Sequence, residues 1–254
     1  MAFVWLSLAE AILVAVGLLA IYEFKGARVL AWQPSLGRAK LLLKSSLPLL
    51  LAGLAVTLYM RLDIVMLKQM ADDQEVGIYS AATKISEILY FFPVLIVASV
   101  SPYIIKLQKS DPIQYAMRLR QLYFFLSWLA VGLSIPFSFF ADQIVEVLYG
   151  RDFLGAGRVL AIHVWASLAV FLGVASSQHL LVENLQKISF YRTLIGLICN
   201  VILNLLMIPT LGAIGAAAAT VVSYFVATFS LVFFKATRKQ SIQLLVALFY
   251  IKHR

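Results

Sequence analysis

The sequence predicts an all-α fold, a polytopic bundle of transmembrane helices. Three observations carry this. The chain of 254 residues is 62% hydrophobic and only 13% charged, whereas soluble domains run near 45–50% apolar and about 25% charged. The apolar residues fall in runs of about 20, the length that crosses a bilayer as a helix. These runs are continuous and lack the ten-residue alternation of a membrane barrel, so helices are the remaining way to satisfy the backbone in lipid. This composition excludes a soluble enzyme, a disordered tail and a disulfide scaffold; Cys199 is the single cysteine and has no internal partner.

Seven spans are expected, at about 2–22, 47–67, 77–104, 122–141, 159–182, 193–211 and 213–234. The first holds one charge, Glu10, and lacks both a basic leader and a small-residue cleavage site, so it reads as a span. Lys25, Arg28, Arg38, Lys40 and Lys44 follow it. Residues 36–46 place three of those charges around an apolar stripe and predict an interfacial helix. The second and third spans form a hairpin around the acidic turn of Asp72, Asp73 and Glu75. Lys106, Lys109, Arg118 and Arg120 follow the third span, Lys187 and Arg192 the fifth, and Lys235, Arg238, Lys239, Lys252 and Arg254 the seventh. Those sixteen cations share one side of the membrane; Lys68, Arg151 and Arg158 share the other. The positive-inside rule then sets the N-terminus outside and the C-terminus in the cytoplasm. It also accounts for the formal charge of +9 without nucleic acid, and none is expected as a partner. Residues 240–250 are too short to span and predict a short interfacial helix. Three regions result: 1–46, a first helix plus basic linker; 47–235, a six-helix lobe; and 236–254, a basic tail.

A charge inside a span is costly and marks a buried pair or a pathway. Arg61 and Asp63 precede the hairpin turn, and Lys84 and Glu87 follow it. Antiparallel folding brings Lys84 within reach of Asp63, and Arg61 within reach of Glu87 or a cavity, while Lys84 and Glu87 share a helix face at i, i+3. One reading is a neutral ion-pair network that locks the hairpin. The other places Arg61 or Lys84 in a cavity that binds an anionic substrate group. Elsewhere, Gly196, Asn200 and Asn204 recur every four residues, and Ala216, Thr220, Ser223, Ala227 and Ser230 follow a 4, 3, 4, 3 spacing. Small and hydroxyl residues at helical spacing let helices approach closely, so packing is the first reading of both stripes. His163, Ala166, Gly173 and Ser177 share a third face. His163 and His179 are too far apart for metal-ligand spacing, and no metal or cofactor is expected. The role of Glu10 stays open. There is no Gly-rich phosphate loop, HExxH or GxSxG motif, so no catalytic residues are assigned and the chain does not read as an enzyme.

Several strings carry a resemblance. They are MRLDIVML at 60–67, VGIYSAATKISE at 76–87 with Pro102 beyond it, NVILNLLMIPTLGAIGAAAAT at 200–220, and, more weakly, LYGRDFLGAGRVLAI at 148–162. In this order they resemble the oligosaccharide flippases of the multidrug/oligosaccharidyl-lipid/polysaccharide exporter superfamily. The resemblance implies two related lobes of about twelve spans that translocate a polyprenyl-pyrophosphate-linked sugar for cell-surface polysaccharide such as lipopolysaccharide. The seven spans match the sixth through twelfth of that fold. The chain departs from the pattern by lacking the first five, and reads as a truncated or split member. In the implied mechanism Arg61 and Lys84 hold the pyrophosphate, while Asn200, Asn204, Thr220 and Ser223 hydrogen-bond sugar. The implied partners are a lipid-linked oligosaccharide, membrane lipids, a separate N-terminal lobe or second copy, and the polymerisation machinery, in a bacterial inner or plasma membrane. Two other functions compete. One is a cation-coupled multidrug exporter using Asp63, Glu87 and Glu10; the other is a non-transporting remnant or assembly subunit.

Overall fold

A computed structural model describes residues 2–25 and 35–249. The linker cation Arg28 and the tail cations Lys252 and Arg254 lie outside the described residues. The chain divides into two units, Met1–Leu47 and Pro48–Arg254. The first contains α1 (Ala2–Phe24), with its described side chains exposed throughout, Glu10 among them. It also contains the opening turns of α2 (Leu36–Met70). Residues 36–46 are helical, as expected, and run on into the rest of α2 without a break. Leu, Lys, Arg and Ala dominate this stretch, and all favour helix continuation.

The second unit contains the remainder of α2, then α3 (Asp73–Ile88), α4 (Phe91–Ser110), α5 (Pro112–Phe139), α6 (Ala141–Tyr149), α7 (Gly155–His163), α8 (Ala166–Val182), α9 (Gln186–Phe229) and α10 (Arg238–Phe249). Local chemistry sets several boundaries. Asp72 caps α3 by accepting from the Glu75 amide at 2.8 Å. Asp111 caps α5 by accepting from the Ile113 and Gln114 amides, with Pro112 in the first turn where its missing N–H costs nothing. Gly150 ends α6 at φ 84°. Helix α9 is 44 residues long and breaks at Gly212 (φ 53°, ψ −132°). That is the turn expected between 193–211 and 213–234. The Glu75 carboxylate accepts from the Ala213 amide and so caps the second arm.

Five segments among the described residues are long and apolar enough to cross a membrane: Trp5–Phe24, Asp73–Ser110, Pro112–Phe139, Gly155–Val182 and Gln186–Phe233. The third and fifth expected spans correspond to the pairs α3–α4 and α7–α8. The protein is a polytopic helical bundle.

Its sorting of side chains suits lipid. On the first arm of α9 the buried face carries Thr193, Gly196, Asn200 and Asn204. The exposed face carries Ile198, Ile202, Leu205 and Leu206. In water this arrangement would be inverted; in a bilayer polar groups pair inside and apolar ones meet acyl chains. The two stripes do pack. A Cβ on Gly196 would lie 2.6 Å from the Ala227 Cβ and 3.3 Å from the Ser223 carbonyl oxygen, so the two arms of α9 approach closely there.

One expectation changes. Arg192 belongs to α9 and is buried, so it is not a loop charge on the cytoplasmic rim. Ser176, Ser177 and the Gly173 carbonyl accept its hydrogen bonds, which makes burial affordable. Helix α10 overlaps the stretch expected as a short helix, and it docks on the bundle. It packs on α5, burying Gln240, Ser241 and Leu244, and Gln240 donates to the Tyr123 hydroxyl at 2.9 Å.

Candidate functional site

Asp63 lies on α2 and is 1% exposed. A buried carboxylate needs a cation or several hydrogen-bond donors. Here it has donors. The Tyr79 hydroxyl on α3 donates to Oδ2 at 2.6 Å, and Asn204 on the first arm of α9 donates from Nδ2 to Oδ1 at 2.5 Å. Thr220 Oγ1, on the second arm, lies 2.6 Å from Oδ2 and 2.9 Å from the Ala216 carbonyl oxygen. Its single proton serves one acceptor at a time. Asn204 also donates to Asn200 Oδ1 at 3.1 Å. Asp63 thus ties α2, α3 and both arms of α9 into one polar core.

The cations stay out of it. Among the described residues the ion pairs are Lys68 with Asp73, and Arg151 with Glu146 at 2.8 Å. The expected pairing of Asp63 and Glu87 with Lys84 and Arg61 is therefore absent from them, and the neutral network that would lock the hairpin is corrected to a hydrogen-bonded one. Helix geometry supplies the reason. Arg61 stands two residues from Asp63 and points to another side. On α3 the buried face carries Tyr79, Thr83 and Ser86, which leaves Lys84 exposed. Arg61 is exposed as well, and Glu87 is half-buried.

The neutral candidates move the other way. Asn200, Asn204, Thr220 and Ser223 are all at most 2% exposed, so they face the bundle interior and do not line an open cavity. The first three serve Asp63 directly or at one remove. The Ser223 hydroxyl returns to the Ala219 carbonyl at 2.6 Å. Their helical spacing makes them visible as two stripes, and Asn200, Asn204 and Thr220 among them also form the hydrogen-bond network around Asp63.

Two further residues contribute. The residue pattern gives Tyr79 no role, and only its distance to Asp63 reveals a donor. His163 pairs through Nδ1 with the Ser86 hydroxyl at 2.7 Å and meets the Tyr79 ring edge-on, with centroids 5.9 Å apart. That chain of contacts links α7 to the Asp63 core. Among the described residues no group of three His, Cys, Asp or Glu side chains gathers as a metal would need.

A helical bundle with several membrane-length apolar segments, whose interior centres on one carboxylate held by neutral donors, defines a polytopic membrane protein. Residues 1–158 match the polysaccharide biosynthesis protein family, and the chain belongs to that family. It is similar to the probable low-salt glycan biosynthesis flippase Agl15 of Haloferax volcanii, 25% identical over 200 residues that make up 77% of this chain and 42% of that protein. It is also similar to the probable flippase AglR of the same organism, 30% identical over 177 residues, 65% of this chain and 35% of that one. The fold is similar to that of the lipid II flippase MurJ in its inward closed conformation, with a TM-score of 0.63, 16% identity, and coverage of 85% of this chain and 48% of MurJ. The chain spans less than half the length of each of these relatives.

Proposed function

We propose that this chain forms a lobe of a flippase that moves a lipid-linked oligosaccharide across the membrane for cell-surface polysaccharide assembly. The observation that carries the reading is the family match over residues 1–158, joined by relatives named as flippases over 65–77% of the chain. On this reading the chain is a transporter and not an enzyme. It resides in the inner or plasma membrane and crosses it seven times, with its N-terminus outside. Its partners are the lipid-linked sugar, a separate N-terminal lobe or second copy, and the polymerisation machinery. With Arg192 counted as a buried residue, a fifteen-to-three division of cations supports the orientation. A membrane-impermeant maleimide tests it. In a Cys199→Ala background, Gln74→Cys labels in intact cells and Lys109→Cys labels only after permeabilisation; the reverse pattern sinks the orientation.

Arg61 and Lys84, which fall within the second and third expected spans, have exposed side chains, and we assign them to the pyrophosphate. Oxyanions need such donors. Asp63 takes the coupling role, binding a proton or a small cation. A buried carboxylate without a counter-cation changes its hydrogen bonds when it is protonated, and those bonds hold both arms of α9. Neutralising both cations in Arg61→Gln/Lys84→Gln lowers flipping in proteoliposomes at least about tenfold, a loss of roughly 1.4 kcal/mol. An undiminished rate removes both residues from the substrate site. The same Asp63 core also suits a cation-coupled drug exporter, which is the second reading.

A further inference from the structure

Arg192 presents a separate problem. It is 8% exposed, on α9, in the apolar interior. An arginine without an anion there is expensive even when it is hydrogen-bonded. The Ser176 hydroxyl, the Ser177 hydroxyl and the Gly173 carbonyl account for three of its five N–H donors. Neither of the ion pairs among the described residues includes it. A positive charge with two donors to spare is thus held rigidly by α8.

It is held at the wall of a cleft. A cavity of about 200 Å³ lies between α2, α8 and the two arms of α9, and Arg192, Ser177 and Thr193 line part of it. The remaining wall is largely apolar, with Val56, Met60, Val170 and Val174. Tyr59 also lines the cleft, and its hydroxyl lies 3.4 Å from where a Cβ on Gly196 would sit, about one turn along α9 from Arg192. Tyr90 reaches the same cleft with a buried hydroxyl that has no hydrogen-bond partner among the described residues. The cleft therefore combines one cation, the unspent hydroxyls of Tyr59 and Tyr90, and an aliphatic wall.

That combination selects its occupant. A free phosphate would satisfy the guanidinium but would leave the aliphatic wall against a hydrated ion. A neutral lipid would fill the wall but would leave the charge uncompensated. An amphiphile with a phosphate head answers both, and the planar fork of arginine suits a phosphate oxyanion. We propose that this cleft binds the phosphate end of an anionic membrane lipid, with Arg192 holding the oxyanion and Val170 and Val174 contacting the chain. The site uses neither Arg61 nor Lys84 and does not depend on the flipping reading.

The test measures lipid retention by native mass spectrometry on the purified full chain, with phosphatidic acid, diacylglycerol and inorganic phosphate as probes. Wild-type protein retains phosphatidic acid at least about tenfold more than diacylglycerol, as a charge-assisted contact requires. Arg192→Gln loses that preference, and Arg192→Lys recovers part of it. Val170→Phe, which fills the apolar wall and leaves the guanidinium in place, loses retention as well. If Arg192→Gln does not fold, the Val170→Phe result decides alone. Retention unchanged in the folded variants overturns the proposal. So does displacement of the lipid by millimolar inorganic phosphate, which would mark a free-anion site.

Discussion

Asp63→Ala lowers folding stability by about 3–5 kcal/mol, because it leaves several buried polar groups without their shared acceptor. Tyr79, Asn204 and Thr220 all lie within hydrogen-bond distance of that one carboxylate, at 2.5–2.6 Å. They come from α3 and from both arms of α9, so the loss loosens three contacts between elements at once. Asp63→Asn separates scaffold from function. The amide keeps the volume and one acceptor, and Tyr79 and Thr220 can turn to accept from it. The expected stability loss is about 1–2 kcal/mol, the scale of one impaired hydrogen bond. Transport, however, falls as far as in Asp63→Ala, because the amide cannot take up a proton or pair with a cation. Denaturant unfolding in detergent and flipping in vesicles measure the two effects separately. A folded Asp63→Asn protein with full transport would remove Asp63 from the coupling role and leave it a structural residue.

Gly212→Ala is the second large effect, at about 2–4 kcal/mol. Two costs contribute. The backbone at φ 53°, ψ −132° is one that side-chain-bearing residues adopt only at a cost of roughly 1–3 kcal/mol. A Cβ there would also overlap the Glu75 carboxylate, which caps the second arm at the Ala213 amide. A helix cap is worth about 1 kcal/mol. Gly215→Ala meets a different obstacle, since its Cβ would lie 2.5 Å from the Met207 carbonyl oxygen, and backbone cannot easily move. Unfolding in detergent reads both variants. A Gly212→Ala protein within about 0.5 kcal/mol of wild type, the usual range of a surface change, would show that the turn is not held as described.

The bundle was legible because lipid writes itself into a sequence as length and apolar content. The turn at Gly212 was legible for a related reason: Pro209, Gly212 and Gly215 punctuate an otherwise unbroken apolar run. The stripes of Asn200, Asn204 and Thr220 were visible by spacing, and their packing role holds. What spacing could not supply was direction. A residue at the right depth can face sugar, lipid or another helix, and only tertiary contacts decide. Asp63 looked like half of an ion pair because Lys84 lies at a matching depth, yet the helix faces send the two apart. Arg192 misled for another reason. A cation near the end of a span counts as a loop charge under the positive-inside rule, and the Ser176–Ser177 pair that receives it lies 15–16 residues away on a different helix. Residues 240–250 show the limit of length as a guide. A helix too short to span can still dock, and Gln240 and Leu244 give α10 a buried face against α5.

The most direct test of the account is a leaflet-exchange assay on the reconstituted protein. A fluorescent polyprenyl-pyrophosphate-linked oligosaccharide is placed in one leaflet, and its appearance in the other is followed beside protein-free vesicles. Ethidium efflux is measured in the same preparation. The account predicts that the lipid-linked oligosaccharide crosses and that ethidium transport stays at the protein-free level. Ethidium export without oligosaccharide movement would contradict it and establish the drug-exporter reading instead.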